Sequence, residues 1–158
     1  MKKTLAIAAA TLLAACGSGS DSSPSLPNPG EPNDTIATAT PMTPGTPVVA
    51  TMGSAVDYDF YAFTVPQGGA YVRFQTFDQS GVTCGAPGTY DIDTYLDVFD
   101  SGQNWVANSD DSAVINGVST YCEDYTTANP LPAGTNYVAV STYPGLPEFV
   151  YVLKVTIL

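Results

Sequence analysis

The chain has 158 residues, four basic side chains against fifteen acids, no histidine, and a net charge of −11. So acidic a surface repels nucleic-acid phosphates and anionic headgroups, which excludes nucleic acid as a partner and directs attraction toward cations, basic surfaces or neutral ones. Without histidine there is no Ser-His-Asp or Cys-His machinery, and without a Cys-x-x-Cys spacing there is no zinc or dithiol redox motif.

The N-terminus carries a targeting pattern. Met1-Lys2-Lys3 is a positive start, Leu5 to Leu13 is a short apolar run, and Leu13-Ala14-Ala15-Cys16 closes it with small residues and a cysteine. The run is shorter than the about 20 apolar residues a spanning helix needs, so it reads as a cleaved signal. Leu-Ala-Ala-Cys resembles the lipobox of bacterial lipoproteins, which implies cleavage after residue 15 and a lipid-modified Cys16. The alternative is an ordinary signal peptide followed by a cysteine. Loss of Lys2 and Lys3 leaves Arg73 and Lys154 against fifteen acids, a net charge of −13. Gly17 rather than Asp follows Cys16, which resembles the default signal for the outer membrane. Residues 16–30, rich in Gly, Ser and Pro, have nothing to bury and are expected to be a flexible tether. One domain, residues 31–158, follows.

Twelve of the acids are Asp, and the chain holds fourteen Gly, thirteen Pro and ten Tyr, a composition of strands and turns with almost no helix signal. From Val48 onward apolar residues recur at period two. Residues 60–65 put Tyr61, Phe63 and Val65 on one face; Pro66-Gln67-Gly68-Gly69 turns the chain; Val72 and Phe74 then alternate with Arg73 and Gln75. That pair is expected to be a hairpin. Leu96 and Val98 alternate with Tyr95, Asp97 and Phe99, and a turn at residues 101–104 leads into a short strand through Trp105-Val106-Ala107. Val138 and Val140 share a face in the next strand. Phe149, Tyr151, Leu153, Val155 and Ile157 mark the last and clearest one. About eight short strands at this spacing predict an all-β fold, a two-sheet antiparallel, jelly-roll-like β-sandwich, with surface loops at 78–92 and 108–134. Those loops hold Cys84 and Cys122. In an exported chain one disulfide between them is the simplest reading, two free thiols the other.

Four segments in order carry a family resemblance: Glu31-Pro32-Asn33-Asp34; Asp57-Tyr58-Asp59-Phe60-Tyr61-Ala62-Phe63; Asp93-Thr94-Tyr95-Leu96-Asp97-Val98-Phe99-Asp100 with Asn108 to Ser112; and Leu131-Pro132-Ala133-Gly134-Thr135-Asn136-Tyr137-Val138. Together they resemble the bacterial pre-peptidase C-terminal domain, which is related to the collagen-binding domains of clostridial collagenases. The two cysteine loops depart from the family pattern, and no peptidase accompanies the domain in this chain. The resemblance implies a calcium site formed by Glu31, Asn33, Asp34, Asp57 and Asp59. Carboxylate and amide oxygens suit Ca²⁺ on general grounds. The competing account is that Asp34 caps a turn and that Asp57 and Asp59 are solvated strand ends. A second cluster, Asp93, Asp97, Asp100, Asp110 and Asp111, is open between metal binding and turn capping.

No catalytic set remains once the acids are assigned to turns and cation binding, so the chain is expected not to be an enzyme. Tyr58, Tyr95, Trp105, Tyr121, Tyr125 and Tyr143 are expected on outer faces or loops, where rings stack on sugars or pack on extended peptides. The expected function is a non-catalytic, lipid-anchored envelope module that binds extracellular polysaccharide or protein, touching the membrane only through its anchor. The alternative is an accessory domain that aids folding, secretion or retention of a partner protease or surface complex.

Overall fold

The computed structural model describes residues 30–158 except 55, 80–91, 116, 144, 145 and 147. A 3₁₀ turn at Ile36–Thr38 precedes eleven strands: β1 (Thr40–Pro41), β2 (Val48–Met52), β3 (Asp59–Val65), β4 (Val72–Asp78), β5 (Thr94–Phe99), β6 (Trp105–Asp110), β7 (Val114–Ile115), β8 (Val118–Ser119), β9 (Asp124–Thr126), β10 (Gly134–Thr142) and β11 (Phe149–Ile157). They form a five-stranded sheet, β1-β3-β10-β5-β6, a four-stranded sheet, β2-β11-β4-β9, and a small β7-β8 hairpin. All pairings are antiparallel except β1 on β3. The expected two-sheet sandwich is the observed fold.

The period-two pattern chooses the inward faces as expected. Tyr61, Phe63 and Val65 of β3, Leu96 and Val98 of β5, and Val138 and Val140 of β10 meet Val72 and Phe74 of β4 and Tyr151, Leu153 and Val155 of β11 in one core. On β11 the outward Val150 and Val152 are buried as well.

Two expectations fail. β3 and β4 are not a hairpin: β3 pairs with β1 and β10, whereas β4 pairs with β11 and β9. The turn at residues 66–71 carries the chain from one sheet to the other, so the two strands face each other across the core. Phe63 and Phe74 meet edge to face there, ring centres 5.6 Å apart. Period-two alternation selects a buried face but not the neighbour, and both strands reach the same core by opposing as readily as by pairing. The interval 108–134 is not a simple loop either. It contains the end of β6, the β7-β8 hairpin and β9, an edge strand of the four-stranded sheet. Its strands are two or three residues long, too short for a periodicity to register. The other expected loop lies mostly outside the described residues, as does Cys84; Cys122 is fully buried. Residues 1–29, with Cys16, also lie outside them. Among the described residues no helix is long and apolar enough to cross a membrane.

Candidate metal site and the solvent face of the larger sheet

One bond folds the N-terminal segment on itself and a backbone bond joins it to the start of β3. The Asn33 amide N–H donates to Glu31 Oε2 (3.1 Å), and the Phe60 N–H donates to the Asn33 carbonyl (2.9 Å). Asp57 lies in the loop just before β3, where its Oδ2 accepts the Gly53 N–H at 2.6 Å. The result brings carboxylate oxygens of Glu31, Asp57 and Asp59 within 4.8 Å of one another. Glu31 is exposed, Asp57 half-buried and Asp59 fully buried. The competing account of Asp57 and Asp59 as solvated strand ends does not describe Asp59. Asp34 is exposed and stands outside this group.

Asp59 is the centre of the arrangement. Its Oδ2 accepts the Tyr151 hydroxyl at 2.5 Å, and the Tyr151 oxygen lies 2.8 Å from the Tyr61 hydroxyl. Tyr151 has one proton and gives it to the carboxylate, so Tyr61 must donate to Tyr151. The chain Tyr61→Tyr151→Asp59 links the two sheets through the core. It was not foreseen from the sequence, where both tyrosines read only as core residues. Burial is the largest influence on Asp59 and pushes its pKa up to about 7; the Tyr151 bond opposes this, and Glu31 and Asp57 add to the rise. Burial likewise pushes both tyrosines above their ordinary value.

The donor set fits a hard divalent cation. Oxygens bound at about 2.4 Å to one Ca²⁺ lie at most about 4.8 Å apart, the span seen here. Asp59 Oδ1 and both side-chain polar atoms of Asn33 are buried without a protein partner. Buried polar atoms left unpaired cost about 1–3 kcal/mol each, and a cation ligated by oxygen removes that cost for an acceptor. Glu31, Asn33, Asp57 and Asp59 are therefore the residues able to hold such an ion.

The second acidic cluster divides. Asp93, Asp110 and Asp111 bring carboxylate oxygens within 4.8 Å. Burial, then Asp111, Asp110 and Glu123, raise the Asp93 pKa to about 6. Asp97 and Asp100 have other tasks. Asp97 Oδ1 accepts the Trp105 indole N–H at 2.7 Å. Asp100 Oδ1 accepts the backbone N–H groups of Gly102 and Asn104 at 2.8 and 2.9 Å, and these bonds with the Asn104 amide lower its pKa. That Asx turn sets up the β5-β6 hairpin.

Glu123 escaped the sequence reading altogether. It is 1% exposed, yet its Oε2 accepts the Ser109 and Ser112 hydroxyls at 2.5 and 2.6 Å, and its Oε1 accepts the Asp111 N–H at 3.0 Å. Burial raises its pKa despite these donors. Its role is to hold the segment 109–112 against the four-stranded sheet, which it joins through Thr76: its N–H donates to Thr76 Oγ1 at 2.8 Å.

Of the aromatics expected outside, Tyr58, Trp105 and Tyr143 are exposed. Tyr95 and Tyr121 are half-buried, and Tyr125 packs against the core. Tyr125 also lines a cleft of about 370 Å³ between β6 and the segment 127–132, whose one acid is Asp100.

The described residues form a two-sheet antiparallel β-sandwich with an oxygen-rich cluster where the N-terminal segment meets β3. The bacterial pre-peptidase C-terminal domain model matches residues 57–142, more than half of the chain, and the protein belongs to that family. Among solved structures, the pre-peptidase C-terminal domain of collagenase from Bacillus anthracis is similar, at 15% identity and a TM-score of 0.48, over 74% of this chain and 93% of that one. No curated protein matches the sequence.

Proposed function

We propose that this chain is a non-catalytic, lipid-anchored envelope module that binds extracellular polymer or protein, with Ca²⁺ held by Glu31, Asn33, Asp57 and Asp59. The observation that carries the reading is the character of its acids. Each cluster is made of hard oxygen ligands. The cleft beside β6 has Asp100 as its single carboxylate and touches neither cluster, which supports a non-catalytic reading. Ca²⁺ at the first cluster would tie residues 31–33 to β3 and stiffen the entry to the sandwich. Cys16 would be the lipidated anchor, in the outer membrane, with residues 17–30 as tether. Cys84 and Cys122 would form the disulfide.

Membership of a family named for its place beside peptidases favours a second reading, in which the domain assists folding, secretion or retention of a partner protease. Incubation of the full chain with insoluble polysaccharides, collagen fibres and cell-wall material separates the two. Retention on a polymer supports the binding module. A co-purifying peptidase with no polymer retention supports the accessory role, and hydrolysis of any of these polymers would overturn both. Incorporation of labelled palmitate at Cys16, lost in Cys16→Ala, tests the anchor.

A further inference from the structure

The solvent side of a sandwich is ordinarily polar, because alternation sends one set of side chains to the core and the other to water. The outer face of the five-stranded sheet departs from this. Register places Trp105 of β6 opposite Phe99 of β5, and Phe99 opposite Tyr137 of β10. The inward set on β5 and β10 is Leu96, Val98, Val138 and Val140, so Phe99 and Tyr137 belong to the outward set. The indole N–H bond to Asp97, another outward residue, puts Trp105 on the same side. Three rings thus form a row across three strands, about 10 Å from end to end at the usual inter-strand spacing. Phe60 of β3 packs on Phe99 with ring centres 5.8 Å apart, and the outward Ala139 is only 2% exposed. The floor of the row is apolar and continuous.

Trp105 is held in place before any ligand arrives. Trp105 is 57% exposed, and its indole is fixed by the 2.7 Å bond to Asp97 Oδ1. Beside it the Asn108 amide donates to the Tyr95 hydroxyl. Pinned rings lose little conformational entropy on binding. Charge then narrows the ligand. After residue 15 the only cations are Arg73 and Lys154, and both lie on the four-stranded sheet, in β4 and β11, with Arg73 ion-paired to Asp124. The aromatic row has no positive charge on its own sheet, and Asp97 lies beside it. Anionic polymers are repelled. Flat rings next to carboxylate, amide and hydroxyl groups match the C–H faces and hydroxyls of uncharged pyranose rings.

We infer that Trp105, Phe99 and Tyr137 form a stacking track for an extended, uncharged polysaccharide lying across the strands; the inference rests on reading the chain as a binding module. Trp105 is the single tryptophan of the chain, so its emission reports directly on the track. The full chain is incubated with microcrystalline cellulose, chitin and curdlan, with collagen fibrils and polylysine beads for comparison, and titrated with soluble oligosaccharides of each glycan. Retention on at least one neutral glycan is expected, with a shift in Trp105 emission. Trp105→Ala and Tyr137→Ala should each weaken it roughly tenfold, the upper range for one stacked ring, while Trp105→Phe keeps most of it. Unfolding midpoints of the variants confirm that the fold is intact. Retention unchanged in Trp105→Ala and Tyr137→Ala overturns the track and leaves the binding module standing. Trp105-dependent retention on collagen or polylysine alone overturns the polysaccharide. No retention on any probe overturns both readings.

Discussion

Replacing Tyr151 by Phe deletes a single oxygen from the centre of the sandwich, and the structure sets how much that oxygen is worth. It donates to the buried Asp59 carboxylate at 2.5 Å and accepts from Tyr61. A bond to a charged acceptor contributes about 1.5–3 kcal/mol, and the orphaned, fully buried Tyr61 hydroxyl adds a desolvation cost of about 1 kcal/mol or more. The expected loss is about 3 kcal/mol. Tyr61→Phe leaves the Tyr151 bond to Asp59 in place and should cost about 1 kcal/mol. The double variant should cost about 1 kcal/mol less than Tyr151→Phe alone, because removing the Tyr61 hydroxyl also removes its orphaned desolvation cost; the shortfall from additivity is about 2 kcal/mol. Since the Tyr151 bond is what holds the Asp59 pKa down against burial, its loss also moves Asp59 further toward the protonated form. Urea unfolding of the four proteins in EDTA, followed by circular dichroism, reads these differences provided the m-values agree. Tyr151→Phe within about 0.5 kcal/mol of the parent, or strictly additive losses, would refute the argument.

Three further outcomes follow from the same structure. Ca²⁺ at a hundred times its dissociation constant should stabilise the chain by about 2.7 kcal/mol over EDTA, seen as a rise in melting temperature, and Asp59→Asn should abolish that rise; an undiminished response in Asp59→Asn removes this residue from the site. Glu123→Ala should cost about 3 kcal/mol in urea unfolding because Ser109, Ser112 and the Asp111 N–H lose their acceptor, whereas Glu123→Gln keeps an acceptor and should cost about 1; equal losses would show that the hydrogen bonds do not matter. Asp93, raised to about 6, and Glu123, also raised, are both held above their unfolded values, so the fold favours their protonated forms. Their contribution is complete below the ordinary carboxylate range and is lost as pH rises through about 6. The urea midpoint in EDTA should therefore fall between about pH 4 and 6, and a flat or rising profile there contradicts the assignment.

What the sequence discloses here depends on whether a property is local. The inward faces of β3, β4, β5, β10 and β11 were legible because alternation is written in consecutive residues, and so was the turn at residues 101–104. Partner choice was not: nothing in residues 60–77 distinguishes two strands side by side from two strands face to face, and only the competition of β10 and β11 for those edges decides it. The acidic site was half legible. Asp57 and Asp59 are neighbours in the chain, but Tyr151 reaches Asp59 from 92 residues away, and a tyrosine in a run of apolar alternation carries no mark of its hydroxyl's destination. Glu123 was hidden for a related reason: it sits beside Asp124 in a polar stretch, and only the folding of segment 109–112 over it turns an apparently solvated acid into a buried one.

The aromatic row belongs to the same logic. Trp105 drew notice as an isolated residue, whereas Phe99 and Tyr137 did not, because each alone is ordinary in a strand. They become a surface only through register. Phe99 meets Trp105 across a β-bulge after Val98, with Val106 as the extra residue, and one more residue between Trp105 and Ala107 would take Trp105 out of line with Phe99 and Tyr137. The bulge thus connects the hairpin's geometry to the proposed ligand track: inserting one alanine between Trp105 and Val106 should carry Trp105 past Phe99 and break the row while the buried positions of β5 keep their places. Loss of neutral-glycan retention in that variant, with an unfolding midpoint close to the parent's, would show that alignment of the rings matters and not merely their presence. Retention at the parent's level would place binding elsewhere.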